Sequence, residues 1–309
     1  MKNRSKEILL VITAIFLMGF DFSKHGIPLD EILSGGPEKD GIPAILKPVF
    51  IPADRADFLK NDDRVLAFEL NGEAKAYPIK ILNWHEIVND TIGGRPILVT
   101  YCPLCGTGMA FDPMIEGKRY TFGVSGLLYK SDVLMYDHQT ESLWSQIQRE
   151  AVTGPLTGTR LKLLPLVHTT WGAWRAEHPK TQLLSTDTGY KRDYTRDPYE
   201  SYARSDRLMF PVGKGDDRLS PKAWVLGIEL DGIARAYPFS ELERSPKSFT
   251  DLLGSKRVIL SYDRASRTAR IRDNEGRELP AVVAYWFAWA AFHPKTEVYR
   301  RSPSRGERP

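Results

Sequence analysis

The chain has 309 residues, 43 Lys and Arg against 39 Asp and Glu, 42% hydrophobic residues and a mean hydropathy of -0.34. These values exclude a polytopic membrane protein, a disordered chain and a fibrous repeat, and a net charge of +4 gives no electrostatic case for nucleic acid. Two cysteines beside six histidines cannot build a disulfide scaffold, so any chemistry they carry is local.

The chain opens MKNRSKEILLVITAIFLMGF, with Lys2, Arg4 and Lys6 ahead of an apolar run from Ile8 to Phe20. That is the pattern of an export signal. The run falls short of the roughly 20 residues that span a bilayer, and neither a small-x-small cleavage site nor a lipidation cysteine follows it. Residues 1–22 therefore read as a signal peptide or signal anchor, with residues 8–20 as a membrane tether. The expected location is extracytoplasmic, in a periplasm or on the outer face of the cytoplasmic membrane.

An internal repeat organises the rest. VLAFELNGEAKAYP (65–78) and VLGIELDGIARAYP (225–238) both alternate around Asn-Gly or Asp-Gly, the strongest short hairpin signal. Each copy continues into a β-branched strand, PILVTY (96–101) or RVILSY (257–262). A short helical pattern stopped by His-Pro follows, TTWGAWRAEHPKT (169–181) or AYWFAWAAFHPKT (284–296). The fold expected is β-rich α+β: two related lobes, 45–190 and 215–300, the first elaborated by an insert. A polar aromatic segment (191–214) would wrap one lobe, and 301–309 would be a polar tail.

What both copies keep reads as scaffold: Tyr77 and Tyr237, Trp174 and Trp289, His178 and His293. What only the first keeps reads as special. Its YCPLCGTGMAFD stands opposite YDRASRTARIRD, so Cys102 faces Asp263 and Cys105 faces Ser266, and His85 has no counterpart. The first copy also runs 77 positions from Tyr101 to His178, against 31 from Tyr262 to His293.

A strand leading into Cys-Pro-x-Cys-Gly and out into another strand resembles the metal knuckle of rubredoxins and zinc ribbons. Such a knuckle supplies two thiolates, and soft-metal sites want three or four ligands. His85 is the expected third ligand. His138, Met135, Asp132 or water are candidates for the fourth. Zinc or copper is the implied cofactor. Two rival readings stand beside this one: a thiol–disulfide redox pair with Cys102 as the attacking thiol, and a structural disulfide closing a small loop. Glu86, Ser125, Asp132, Asp137, Trp144 and Ser145 are expected to support the site or line a pocket. FGVSG fails the G-x-S-x-G spacing, which argues against a serine hydrolase.

NWHEIVND, VTYCPLCGTGMAFD, FGVSGLLYKSDVLMYDHQTESLWSQ, GPLTGTRL, TTWGAWRAEHP and GYKRDYTRDPY together resemble an exported bacterial and archaeal family, catalogued as domain of unknown function 3179. The resemblance covers about residues 40–300. It implies that His85, Cys102, Cys105, Ser125, Asp132, Asp137, Trp144 and Ser145 are family features, and implies no activity. The expectation is an exported soft-metal protein engaged in electron transfer, metal handling or metal-assisted catalysis, with a small molecule or redox protein as partner. A further alternative is a non-catalytic ligand-binding protein, with Tyr190, Tyr194, Tyr199 and Tyr202 lining a cleft between lobes.

Overall fold

The computed structural model describes residues 19–301. The expected export segment lies almost wholly outside them, and among the described residues no helix is long and apolar enough to cross a membrane. Strand accounts for 41% and helix for 12% of the structure, the β-rich α+β balance read from the sequence.

After two three-residue strands, β1 (Ile32–Ser34) and β2 (Phe50–Pro52), comes a hairpin of β3 (Arg64–Leu70) and β4 (Glu73–Pro78). Asn71 and Gly72 take φ of 53° and 78°, the two left-handed residues a type I′ turn needs to match strand twist. Helix α1 (Ile79–His85) leads to β5 (Ile87–Ile92), β6 (Arg95–Cys102) and β7 (Thr107–Asp112). A minimal hairpin, β8 (Met114–Ile115) and β9 (Lys118–Arg119), precedes a longer one, β10 (Phe122–Tyr129) and β11 (Asp132–Asp137). Then follow β12 (Leu143–Ser145), β13 (Glu150–Thr153), β14 (Lys162–Leu164), β15 (Val167–Thr170), helix α2 (Trp171–Glu177) and β16 (Gln182–Leu184).

A one-turn helix α3 (Glu200–Ala203) interrupts the polar aromatic segment. The chain then runs β17 (Trp224–Leu230), β18 (Ile233–Pro238), helix α4 (Phe239–Leu242), β19 (Ser248–Leu253), β20 (Lys256–Asp263) and β21 (Thr268–Arg272). It finishes with β22 (Val282–Tyr285), helix α5 (Trp286–Phe292) and β23 (Glu297–Val298).

Two sheets share one plan. The order β15-β3-β4-β16 and the order β22-β17-β18-β23 have the same directions, antiparallel at the first two junctions and parallel at the last. Beside them stand the meanders β5-β6-β7 and β19-β20-β21. Strands β10 to β13, with β1, form a further five-stranded sheet in the first half only.

The residues shared by both halves have matching structural tasks. Tyr77 donates to Asp90, which also pairs with Lys75, and Tyr237 donates to Asp251, which also pairs with Arg235. The indole N–H of Trp174 meets Thr181 at 2.8 Å while His178 stacks on its ring. Trp289, Thr296 and His293 repeat the arrangement at 2.9 Å. Both helices end where the His-Pro pair removes the next donor. The halves do not share a sheet, but they share a core: one buried cluster joins Phe111, Phe122 and Trp144 to Val225, Trp286 and Trp289. Cys102 and Cys105 lie within that cluster.

Candidate metal centre

Cys102 ends β6 and pairs with Thr107 at the start of β7, leaving residues 103–106 as a tight turn. Gly106 closes it at φ 62°, and a Cβ there would stand 2.6 Å from the Trp224 ring, so a side chain is excluded on both counts. The turn is pinned from two sides. The Tyr285 N–H donates to the Cys105 carbonyl at 2.9 Å, and the Tyr202 hydroxyl donates to the Leu104 carbonyl at 2.9 Å. Both sulfurs face the β10–β11 turn, where the Ser131 carbonyl accepts from Cys105 at 3.3 Å and from Cys102 at 3.9 Å.

That turn has only two residues, Lys130 and Ser131, with φ of 51° and 68° and no glycine or asparagine. Left-handed geometry costs about 1–2 kcal/mol at each such residue. It delivers Asp132 to the cysteines: Sγ of Cys102, Sγ of Cys105 and an Asp132 carboxylate oxygen lie within 4.8 Å of one another, all buried. Two sulfurs held at about 2.3 Å from a tetrahedral ion stand about 3.8 Å apart, so small side-chain rotations bring this group to ligand geometry.

The surroundings are acidic. Burial raises the Asp132 carboxyl to about 7, although the N–H groups of Ile147 and Val133 pull it back down. Glu86, the residue after α1 with φ 57°, is raised to about 8 by burial and then by the Asp132 charge. The Cys105 thiol is pushed well up by burial, by Cys102 and by Asp132. Asp132 Oδ2 accepts from Ile147 N at 3.0 Å, but Asp132 Oδ1, Ser131 Oγ and Gln146 Oε1 are buried without a hydrogen-bond partner. Two thiols, two carboxyls and two further unpaired oxygens in an apolar core form a donor set suited to a cation.

His85 does not join the group. Its Nδ1 donates to the Pro43 carbonyl at 2.7 Å and its Nε2 accepts from the Tyr194 hydroxyl at 2.7 Å, so both ring nitrogens are used elsewhere. The third member is Asp132, a residue the sequence offered for the fourth position. His138 is also elsewhere, exposed at the far end of β11 with its Nδ1 at 3.0 Å from the Thr121 hydroxyl. Met135 packs in the core opposite Trp144.

Of the expected supporting residues, Ser145 adjoins Asp132, and Glu86 feels the Asp132 charge. Ser125 bonds Leu134 and Leu127 across a β-bulge, and Asp137 accepts from Thr140 and from the Trp144 indole at 2.9 Å; these three hold the β10–β13 sheet. Sequence reasoning treats Ser131 only as one of several polar residues gathered in this stretch and passes over Gln146. Lys130-Ser131 between two apolar strands was a readable sign, a two-residue turn built from residues that resist it. Gln146 had no signal.

Glu86, Leu104 and Val133, each next to the group, line a cavity of about 140 Å³ together with Leu128, Tyr199 and Phe210. The segment after β16 closes over this side. Tyr194 and Tyr202 are buried, the Trp84 indole donates to the Arg196 carbonyl, and Asn83 donates to Asp197. The four tyrosines therefore pack against α1 and the cysteine turn, with Tyr190 45% exposed.

Fold and site define a β-rich α+β protein whose shared core encloses a group of two cysteines and one carboxylate, a candidate for binding a metal ion. The chain belongs to the family described as a protein of unknown function, DUF3179, whose model matches residues 39–296. No curated protein and no solved structure matches it.

Proposed function

We propose that this chain is an exported protein that binds one zinc ion through Cys102 Sγ, Cys105 Sγ and an Asp132 oxygen. The observation that carries the reading is the convergence of these three side chains from two separate turns. A mixed thiolate and carboxylate set suits zinc, whereas copper(I) prefers sulfur alone, so copper is second. Three protein ligands leave a fourth position open, the pattern of sites that assist a reaction rather than only hold a fold. When bound, the ion would supply Lewis acidity there. Glu86 stands on the cavity side with a pKa near neutrality, suited to hold or pass a proton for a small apolar molecule in the cavity.

The thiol–disulfide reading requires an exposed sulfur of lowered pKa, and here both sulfurs are buried and that of Cys105 is pushed up. The two halves read as copies of one ancestral unit, on the matched sheet order and the matched tyrosine and tryptophan contacts. The first is the copy that gained β10 to β13. Elemental analysis of anaerobically purified protein tests the metal reading. One equivalent of zinc is expected, lost in Cys102→Ser with Cys105→Ser and weakened at least about tenfold in Asp132→Asn. Absence of metal, or retention by a folded double-cysteine variant, overturns it.

A further inference from the structure

A second cavity, of about 180 Å³, lies where the two halves meet, with Tyr101 and Trp224, both neighbours of the cysteine turn, in its wall. Three pairs of its lining residues hold corresponding positions in the two halves, and two of those pairs differ in kind. Arg64 and Trp224 each open the first strand of their hairpin, and Ile79 and Phe239 each open the following helix. His168 pairs with Leu66 as Val283 pairs with Leu226. Arg64 and His168 of the first half and Arg267 of the second thus form the polar wall, and Ile79, Tyr101, Trp224, Phe239 and Val283 form the apolar one.

The polar wall is unbalanced. The Arg64 guanidinium donates to the main-chain carbonyls of Ser266 and His168, and among the described residues no carboxylate pairs with it. Arg267, also lining the cavity, repels it, and Glu243 is 3.9 Å from Arg267. No Asp or Glu lines the cavity. His168 is 6% exposed, its ring stands edge-on to Tyr101 and Trp224, and its buried Nδ1 has no hydrogen-bond partner. A half-buried guanidinium without a carboxylate and a buried, unpaired imidazole nitrogen are each costly unless something answers them.

We infer that this inter-half cavity binds a small organic carboxylate, its anionic group against Arg64 and His168 and its flat apolar body against Trp224 and Phe239. The volume suits a single ring, since a cavity of about 150 Å³ holds benzene. The guanidinium presents the planar fork that matches a carboxylate. None of these residues belongs to the cysteine group, so the inference stands apart from the metal reading.

Benzoate is the probe and benzyl alcohol, the same ring without charge, is the control. Both are titrated calorimetrically into the full chain, with near-ultraviolet circular dichroism following the aromatic environment, Trp224 among the seven tryptophans. Benzoate is expected to saturate one site in the millimolar range or tighter, with benzyl alcohol at least about tenfold weaker. Arg64→Gln should lower benzoate affinity about tenfold or more. Because Arg64 also ties down two carbonyls, His168→Phe is the second variant: it keeps the ring and should weaken benzoate while leaving benzyl alcohol unchanged. No saturable benzoate binding overturns the inference. So does equal binding of the two probes, or unchanged benzoate affinity in a folded His168→Phe protein.

Discussion

Glu86→Gln should stabilise the metal-free protein at neutral pH, an unusual direction for a change to a buried residue. The Glu86 carboxyl rises from 4.5 to about 8 in the folded state, with burial the first cause and the Asp132 charge the second. The folded chain therefore keeps a proton between those values that the unfolded chain releases. Stability contributed by this group is fully present below 4.5 and is lost as pH rises toward 8. From 4.5 to pH 7 the loss is about 3 kcal/mol, at about 1.4 kcal/mol per unit. Glutamine keeps the shape and the strained φ but has nothing to ionise. Urea unfolding with chelator present, in steps from pH 4.5 to 8, should show the variant gaining roughly 2–3 kcal/mol on the parent by pH 7 and nothing at the acid end. Asp132 titrates in an overlapping window in both proteins, so only the difference between the curves reports on Glu86. Parallel curves would refute the reasoning.

His85→Ala should destabilise by about 2–4 kcal/mol, because it leaves the Pro43 carbonyl and the Tyr194 hydroxyl buried, yet leave zinc content unchanged. Loss of zinc from the folded variant would restore His85 as a ligand. Gly106→Ala combines a left-handed φ with a clash against Trp224 and should lower stability by about 2–4 kcal/mol in urea titrations. An acid limb is also expected: burial lowers the pKa of His85 and, more strongly, of His168, so the unfolded chain takes up protons first. Their contribution is present above 6.5 and lost as pH falls below it. His168→Phe should flatten that limb in thermal melts between pH 6.5 and 5; an unchanged slope would exclude His168 as its source.

Hairpins, helix ends and paired scaffold residues were legible because each has a local cause. Asn71-Gly72 and Asp231-Gly232 fix turns, and His178-Pro179 and His293-Pro294 stop helices, without help from distant contacts. The cysteine turn was legible from its Cys-Pro-x-Cys-Gly spacing, although Tyr202 and Tyr285 hold it from afar. The third member of the group was not. Choosing His85 over Asp132 followed ligand chemistry, but the ring's fate was decided by Pro43, 42 residues away, and Tyr194, 109 residues away. Nor could sequence show that the tyrosine-rich segment would return over the first half, since its anchors at Trp84, Asn83 and Leu104 are all long-range.

The matching turn of the second half explains why two cysteines alone would not make the site. Cys102 and Asp263 pair with Thr107 and Thr268, and Gly106 and Arg267 both take left-handed φ, 62° and 49°. In the second turn Ser266 donates to Asp263 and shares a bond with Thr268, so its polar atoms answer one another. The turn itself thus brings its first and fourth side chains together, whatever they are. Cysteines in those places only converge; they acquire a third donor because β10 and β11 bring Asp132 over them. The contacts between halves are reciprocal too. Trp224 packs on the first turn, and Arg64, its counterpart, donates to the Ser266 carbonyl of the second. The half without cysteines thus acts on the other: Trp224 packs against Gly106 and the Tyr285 N–H holds the Cys105 carbonyl, both in the turn that carries the two sulfurs.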